Sequence, residues 1–83
     1  MTQPDPAFAT LAGLLRRLCE DPLPGLAPET LLVDIPGLDS IRLLEAVALL
    51  EEELRVEIET AALDELHCVA DILAAVACAR PLG

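Results

Sequence analysis

The residues able to do chemistry converge on one stretch, Asp34-Ile35-Pro36-Gly37-Leu38-Asp39-Ser40-Ile41. Ser40 is the only serine in the chain, and an acid stands directly beside it. The Pro-Gly pair marks a turn, because proline fixes φ and glycine tolerates positive φ. A helix is expected to start at Ser40 and run to about Leu54. Asp39 or Ser40 would then accept a hydrogen bond from its first free backbone N–H groups. Such a mouth carries partial positive charge and spare donors, which favours a phosphate, including one attached covalently to the serine. The plain alternative is that Ser40 does no more than cap the helix.

No other cluster competes with this one. His67-Cys68 with Cys78 is not a zinc spacing, and His67 is the only histidine. Three cysteines, Cys19, Cys68 and Cys78, without a signal peptide read as reduced thiols that act as small buried hydrophobes. No acid–base pair stands beside a nucleophile, so the chain is expected to be no enzyme and to hold no metal.

The helix behind Ser40 carries two apolar lines. Leu43, Val47, Leu50 and Leu54 fall within about 60° of one another and make a core stripe. Ile41, Leu44 and Ala48 lie about 100 to 160° away, bordered by Glu45, Glu51 and Glu52. An exposed apolar strip with an acidic rim is what a docking face looks like.

Gly37-Leu38-Asp39-Ser40-Ile41, Glu45, Leu50-Glu51-Glu52-Glu53-Leu54, Val56-Glu57-Ile58 and Val69-Ala70-Asp71-Ile72 together resemble the acyl/peptidyl carrier protein family. The register holds without insertion from about Thr30 to Val76. The resemblance implies an all-α fold, a small four-helix bundle with a long first loop and a short third helix. It implies a 4′-phosphopantetheine arm on Ser40, donated from coenzyme A by a phosphopantetheinyl transferase, with the arm's thiol holding an acyl, aminoacyl or peptidyl group as a thioester. Gly37, Leu38 and Asp39 would shape the attachment site, Asp39 helping to orient the transferase and its metal-bound coenzyme A. Ile41, Arg42, Leu44, Glu45, Ala48, Glu51, Glu52 and Ile58 would face partners: an adenylating ligase or acyltransferase that loads the arm, then synthase or tailoring enzymes.

Within the family the signals are mixed. Gly37-Leu38-Asp39 looks more like fatty acyl and polyketide carriers, whereas Ile41-Arg42 looks more like discrete aminoacyl or aryl carriers. Arg42 is expected on the rim of the docking strip, repelling basic patches or pairing with an acid on a dedicated partner; a loose pair with Glu45 is the plainer expectation. The absence of Lys beside abundant Ala, Leu and Arg points to a GC-rich bacterial genome. Specialised polyketide or nonribosomal peptide metabolism is favoured over a housekeeping fatty acid role. Two departures stand out: Cys68 where many members cap the last helix with Thr, which predicts a fraying end, and Glu59 where many have Pro. A reading of another class is an unmodified acidic helical interaction module.

Composition bounds the partners. Eighty-three residues make one small domain, 1–83, with tails at 1–4 and 81–83. The net charge is −10, and between Glu20 and Asp71 fourteen acids stand against Arg42 and Arg55, a local net of −12. Nucleic acid and anionic membranes would be repelled, no Trp or Tyr is available to stack bases, and basic protein surfaces are the natural partners. The longest apolar run, Ile72 to Ala79, is less than half of the roughly 20 residues a membrane helix needs. A free-standing, monomeric, cytoplasmic protein is expected.

The elements that must position Ser40 follow in chain order. A first helix is expected from Asp5 or Pro6 to Cys19 on the spacing of Phe8, Leu11, Leu15 and Leu18, stopped by Pro22 and Pro24, with Arg16 and Arg17 solvated. Asp21 to Asp39 form a long connection whose Leu26, Leu31, Leu32, Val33, Ile35 and Leu38 should lie across the bundle, with one helical turn at Pro28-Glu29-Thr30. After the central helix, a short helix is expected from Ala61 to Leu66 with Thr60 as its cap, and a final one from Val69 to Arg80.

Overall fold

The computed structural model describes Pro6 to Leu82, apart from the side chain of Thr60. The expected tail 1–4, the helix start at Asp5 and Gly83 lie outside the described residues. Three α-helices form the frame: α1, Pro6–Cys19; α2, Ser40–Leu54; and α3, Val69–Ala77. A 3-10 turn, Leu32–Asp34, sits in the long connection, and a 3-10 helix, Thr60–Glu65, stands between α2 and α3. The expectation of an all-α four-helix bundle holds in part: the chain is mostly helical, but there are three α-helices, the short element expected as the third helix is 3-10, and a small two-stranded sheet is present. Two residues on each side, β1 (Val56–Glu57) and β2 (Arg80–Pro81), pair antiparallel with Val56 opposite Pro81 and Glu57 opposite Arg80.

The core is an aliphatic mesh. Leu11, Leu14 and Leu15 of α1 meet Ala46 and Leu50 of α2, Val69 and Ile72 of α3, and Leu23, Leu32 and Ile35 of the connection. Phe8, the lone aromatic, packs only partly buried against this cluster. Leu11, Leu15, Leu50, Val69 and Ile72 are the largest fully buried side chains, each contributing about 1.5–3 kcal/mol by leaving water.

Helix ends explain where sequence and structure part. Helix α1 stops three residues before Pro22: Glu20 turns left-handed at φ 51°, the Asp21 N–H donates to the Arg16 carbonyl at 3.2 Å and the Glu20 N–H to that of Arg17 at 3.3 Å, a Schellman close. Arg16, expected to be solvated, donates from Nε to the Pro22 carbonyl at 2.9 Å. Helix α3 ends at Ala77 rather than Arg80, because Arg80 and Pro81 pair with β1 and the Leu82 N–H reaches the Arg55 carbonyl at 2.8 Å. Pro81, expected in a tail, thus ends a strand, and Leu82 is tied to Arg55 by its N–H.

The long connection also differs in detail. Pro28-Glu29 is a β-turn closed by Thr30 N–H on the Ala27 carbonyl at 3.0 Å; the helical turn falls instead at Leu32–Asp34. Leu32 and Ile35, three apart, face inward, so Leu31 and Val33 point out, 47% and 88% exposed, against the expectation that all would lie across the bundle. Leu23 goes in instead, buried at φ 45° with its N–H bound by Asp21 Oδ1 at 2.8 Å.

This connection laces onto the start of α3. The Leu32 N–H donates to the His67 carbonyl at 2.9 Å, the Val69 N–H to the Thr30 carbonyl at 3.0 Å and the Ala70 N–H to the Pro28 carbonyl at 2.7 Å. The expectation of a fraying end rested on Cys68 as the cap. Cys68 remains the N-cap, in a capping box that Asp71 closes from inside the helix: its Oδ2 accepts the His67 N–H at 2.8 Å and the Cys68 N–H at 3.1 Å. At the 3-10 helix the N-cap position belongs to Glu59, not Thr60, and the Glu59 side chain makes no capping hydrogen bond among the described residues. Of the three thiols, Cys19 and Cys68 are half-buried, whereas Cys78 is exposed rather than buried.

Candidate functional site

The site is built where the end of α1 meets the start of α2. Ile35-Pro36-Gly37-Leu38 form a turn closed by the Leu38 N–H on the Ile35 carbonyl at 3.3 Å, with Gly37 at φ 81°. A left-handed φ after proline is a type II signature that favours glycine. Space favours it as well: a Cβ on Gly37 would be crowded, 3.3 Å from the Cys19 carbonyl oxygen and 3.4 Å from Cys19 Cβ. Glycine here lets the turn rest on the last residue of α1.

Asp39 follows in extended conformation, φ −124° and ψ −177°, as the N-cap of α2; its Oδ1 accepts the Arg42 N–H at 2.7 Å. Of the two expected caps, Asp39 takes the role, which leaves Ser40 as the first helical residue with its side chain exposed and its hydroxyl without a hydrogen bond among the described residues. The Ser40 and Ile41 N–H groups likewise donate to no described residue. A hydroxyl in solvent beside two open amides at a helix mouth can accept a phosphoryl group and then stabilise its charge.

Arg42 does not stand where the sequence expectation put it. At 100° per residue it lies about 160° around α2 from Ser40, on the edge facing α1. Its Nη1 donates to Asp39 Oδ2 and its Nε to the Leu18 carbonyl, each at 3.2 Å. The ion pair is with Asp39, not Glu45, and the guanidinium joins two elements instead of rimming the docking strip.

The strip itself is open. Ile41 is 76% and Leu44 53% exposed, and Ala48, Glu45 and Glu52 are exposed beside them. Glu51 is half-buried and partly committed, its Oε2 accepting the Ile58 N–H at 2.7 Å. Ile58, expected on the partner face, is buried at 8% exposure. With its side chain inside and its N–H on Glu51, it leaves little surface for a partner. On the other face Val47 and Leu50 are buried as the periodicity implies; Ala46, which the stripe omits, is buried with them.

Two apolar clefts flank Ser40, a feature that helical spacing within α2 could not reveal. One of about 250 Å³ is lined by Leu32, Val33, Leu38, Asp39, Ser40, Leu43 and Leu66. The other, about 240 Å³, runs between Leu43 and Leu44 of α2 and Leu63 and Asp64 of the 3-10 helix. The signal for Val33 was present in the chain: Leu32 and Ile35 at a spacing of three turn Val33 outward.

Close by, burial pushes the Cys19 thiol up, Arg42 opposes the rise, and Asp21 and Asp39 add to it. A thiol held protonated is a poor nucleophile. The nucleophile that the arrangement leaves open is therefore the hydroxyl of Ser40, not the thiol of Cys19.

Residues 9–76 match the phosphopantetheine attachment site family, and the chain belongs to it. No curated protein and no solved structure matches the chain significantly. The cofactor of the family is covalently attached 4′-phosphopantetheine. The residues at the α2 mouth fit that group: an unengaged hydroxyl to esterify and two unpartnered N–H groups beside it. Among the described residues no helix is long and apolar enough to cross a membrane.

Proposed function

We propose that the chain is a carrier protein whose 4′-phosphopantetheine is esterified to Ser40. The observation that carries this reading is the division of labour at the α2 mouth, where Asp39 caps the helix and the hydroxyl of Ser40 is left exposed and unbonded inside the matched family segment. In the attachment step the Ser40 oxygen gives up its proton and forms a phosphoester bond to the phosphopantetheinyl phosphorus of coenzyme A, while the bond from that phosphorus to the bridging oxygen breaks and adenosine 3′,5′-bisphosphate leaves. A phosphopantetheinyl transferase supplies the base and the metal. The chain contributes the nucleophile and its surroundings, and the arm's thiol carries an acyl, aminoacyl or peptidyl thioester to partner enzymes.

The strip of Ile41, Leu44 and Ala48 with Glu45 and Glu52 is the proposed docking face for those partners. Its support is exposed apolar area on a helix of net negative charge, which basic enzyme surfaces complement. We place the carrier in specialised polyketide or nonribosomal peptide metabolism of a bacterium, on the Ile41-Arg42 pair and on the composition.

Incubation of the chain with coenzyme A and a broad-specificity phosphopantetheinyl transferase should add the mass of one phosphopantetheinyl group, and Ser40→Ala should add none. A folded sample that gains no mass, or a Ser40→Ala variant that still gains it, overturns the carrier reading in favour of an acidic interaction module. The intact mass of the protein from its native producer would report the cargo.

A further inference from the structure

Arg42 is engaged at both ends of a junction that the carrier function does not explain. Its Nη1 meets Asp39 Oδ2 and its Nε meets the Leu18 carbonyl, each at 3.2 Å, while its own backbone N–H fills Asp39 Oδ1 at 2.7 Å. Asp39 is thus held by Arg42 through both carboxylate oxygens, one by main chain and one by side chain. Leu18 lies 24 positions away, in the last turn of α1, where carbonyl oxygens lack helical partners and a cation is favoured. One planar guanidinium serves two acceptors at once, so a single ordered side chain ties two elements together. One residue further along α1, Gly37 packs against Cys19 so closely that a Cβ would lie 3.3 Å from its carbonyl oxygen. The segment Gly37 to Arg42 is therefore fastened to the end of α1 on both sides of Ser40.

We infer that Arg42 is a positioning residue for the modification of Ser40. It acts through Asp39 and the Leu18 carbonyl to hold the first turn of α2 in one orientation, so that the transferase meets a hydroxyl already presented. This rests on the reading that Ser40 carries the arm. Lysine keeps the charge but lacks the rigid fork, and glutamine keeps one donor without charge, so the two substitutions separate charge from geometry. An isolated pair at this exposure is worth little. The second bond, to a carbonyl of another element, anchors the guanidinium that holds Asp39, so the side chain acts through that carboxylate.

The test measures the rate of phosphopantetheinyl transfer to apo wild type, Arg42→Ala, Arg42→Lys and Arg42→Gln at subsaturating carrier, with circular dichroism melts to show that each is folded. Arg42→Ala should lower kcat/KM about three- to tenfold, the span expected when one screened ion pair and one hydrogen bond are lost. Arg42→Lys should recover only part of the rate. Because Arg42 acts through Asp39, removing it in an Asp39→Asn background should cost much less than in wild type, a coupling that a merely additive loss of stability would not give. Independently of any transferase, the backbone amide at position 42, bound to Asp39 Oδ1, should exchange with solvent faster in Arg42→Ala. Wild-type rates and unchanged exchange in Arg42→Ala, or full additivity with Asp39→Asn, overturn the inference while leaving the carrier reading intact. Failure of wild type itself to be modified sinks the carrier reading, and the amide exchange still decides whether Arg42 orders the turn.

Discussion

Helices α2 and α3 begin with the same device and put it to opposite uses. In each, an aspartate carboxylate accepts backbone N–H groups at the helix start: Asp39, just outside α2, that of Arg42 in the first turn, and Asp71, within α3, those of His67 and Cys68 just before it. At α3 the next donors are filled too, Val69 and Ala70 giving their N–H groups to the carbonyls of Thr30 and Pro28. At α2 the equivalent donors, on Ser40 and Ile41, meet no described residue. An open helix start leaves backbone donors to water. This fold closes one start with its own loop and leaves the other open beside its only serine, which teaches that the vacancy at α2 follows from the arrangement of the long connection and not from helix starts in general.

The comparison breaks most severely if Ser40 matters to the fold. Ser40→Ala should abolish phosphopantetheine transfer completely while shifting stability by no more than about 0.5 kcal/mol, as for an exposed residue that caps nothing. Urea unfolding of the two proteins checks this; a loss of more than 1.5 kcal/mol, beyond that bound and near the cost of losing a cap, would mean the hydroxyl does hold the helix.

Proline substitution reads the two openings directly. Ala70→Pro and Ile41→Pro occupy equivalent positions in the first turns of α3 and α2, so their steric consequences are similar, but only the first removes an N–H that has a carbonyl partner. Ala70→Pro should be the more destabilising by about 0.5–1.5 kcal/mol, the net worth of one hydrogen bond. Equal losses in thermal or urea unfolding would show that the α3 lacing adds nothing to stability.

Acid sharpens the contrast at α3. The N–H donors of His67 and, next, Cys68 hold the Asp71 carboxyl below its ordinary value. A lowered folded-state pKa means that its contribution is complete above the unfolded carboxylate value of about 4 and is lost as pH falls through the lower folded value. The amide resonances of His67 and Cys68 should therefore shift together below the usual carboxylate range. In Asp71→Asn that shared titration should vanish; its persistence would assign it to another acid.

Much of this was legible in the chain, and the reasons differ by region. The 3.6 period of Leu43, Val47 and Leu50 placed α2 and its two faces, because amphipathic spacing over fifteen residues is a strong local signal. Gly37 announced its turn, although the second reason for glycine, contact with Cys19, is a meeting of residues 18 positions apart that no spacing encodes. Arg42 was misplaced for the same cause: its acceptor on Leu18 exists only once α1 and α2 are docked. The α3 boundary failed because Arg80 and Pro81 gain a strand partner in β1, a long-range pairing that overrides helical continuation. Ile58 was assigned by resemblance to the partner face, and only the packed structure puts its side chain inside.

The smallest effect belongs to Leu44, and it bears on whether the open mouth extends into an open face. Leu44 is half exposed beside Ser40, in the cleft shared with Leu63. Truncation to alanine removes little buried surface and replaces leucine with the better helix former, so Leu44→Ala should change stability by about 0.5 kcal/mol or less. Its consequence should fall on encounters: slower turnover with a cognate loading enzyme because apolar contact is lost, with salt dependence unchanged because no charge is altered. Glu45→Gln should do the reverse, weakening transfer most at low ionic strength with little loss of contact. If Leu44→Ala unfolds the protein as a core truncation would, the strip belongs to the bundle, and the opening at α2 ends at Ser40.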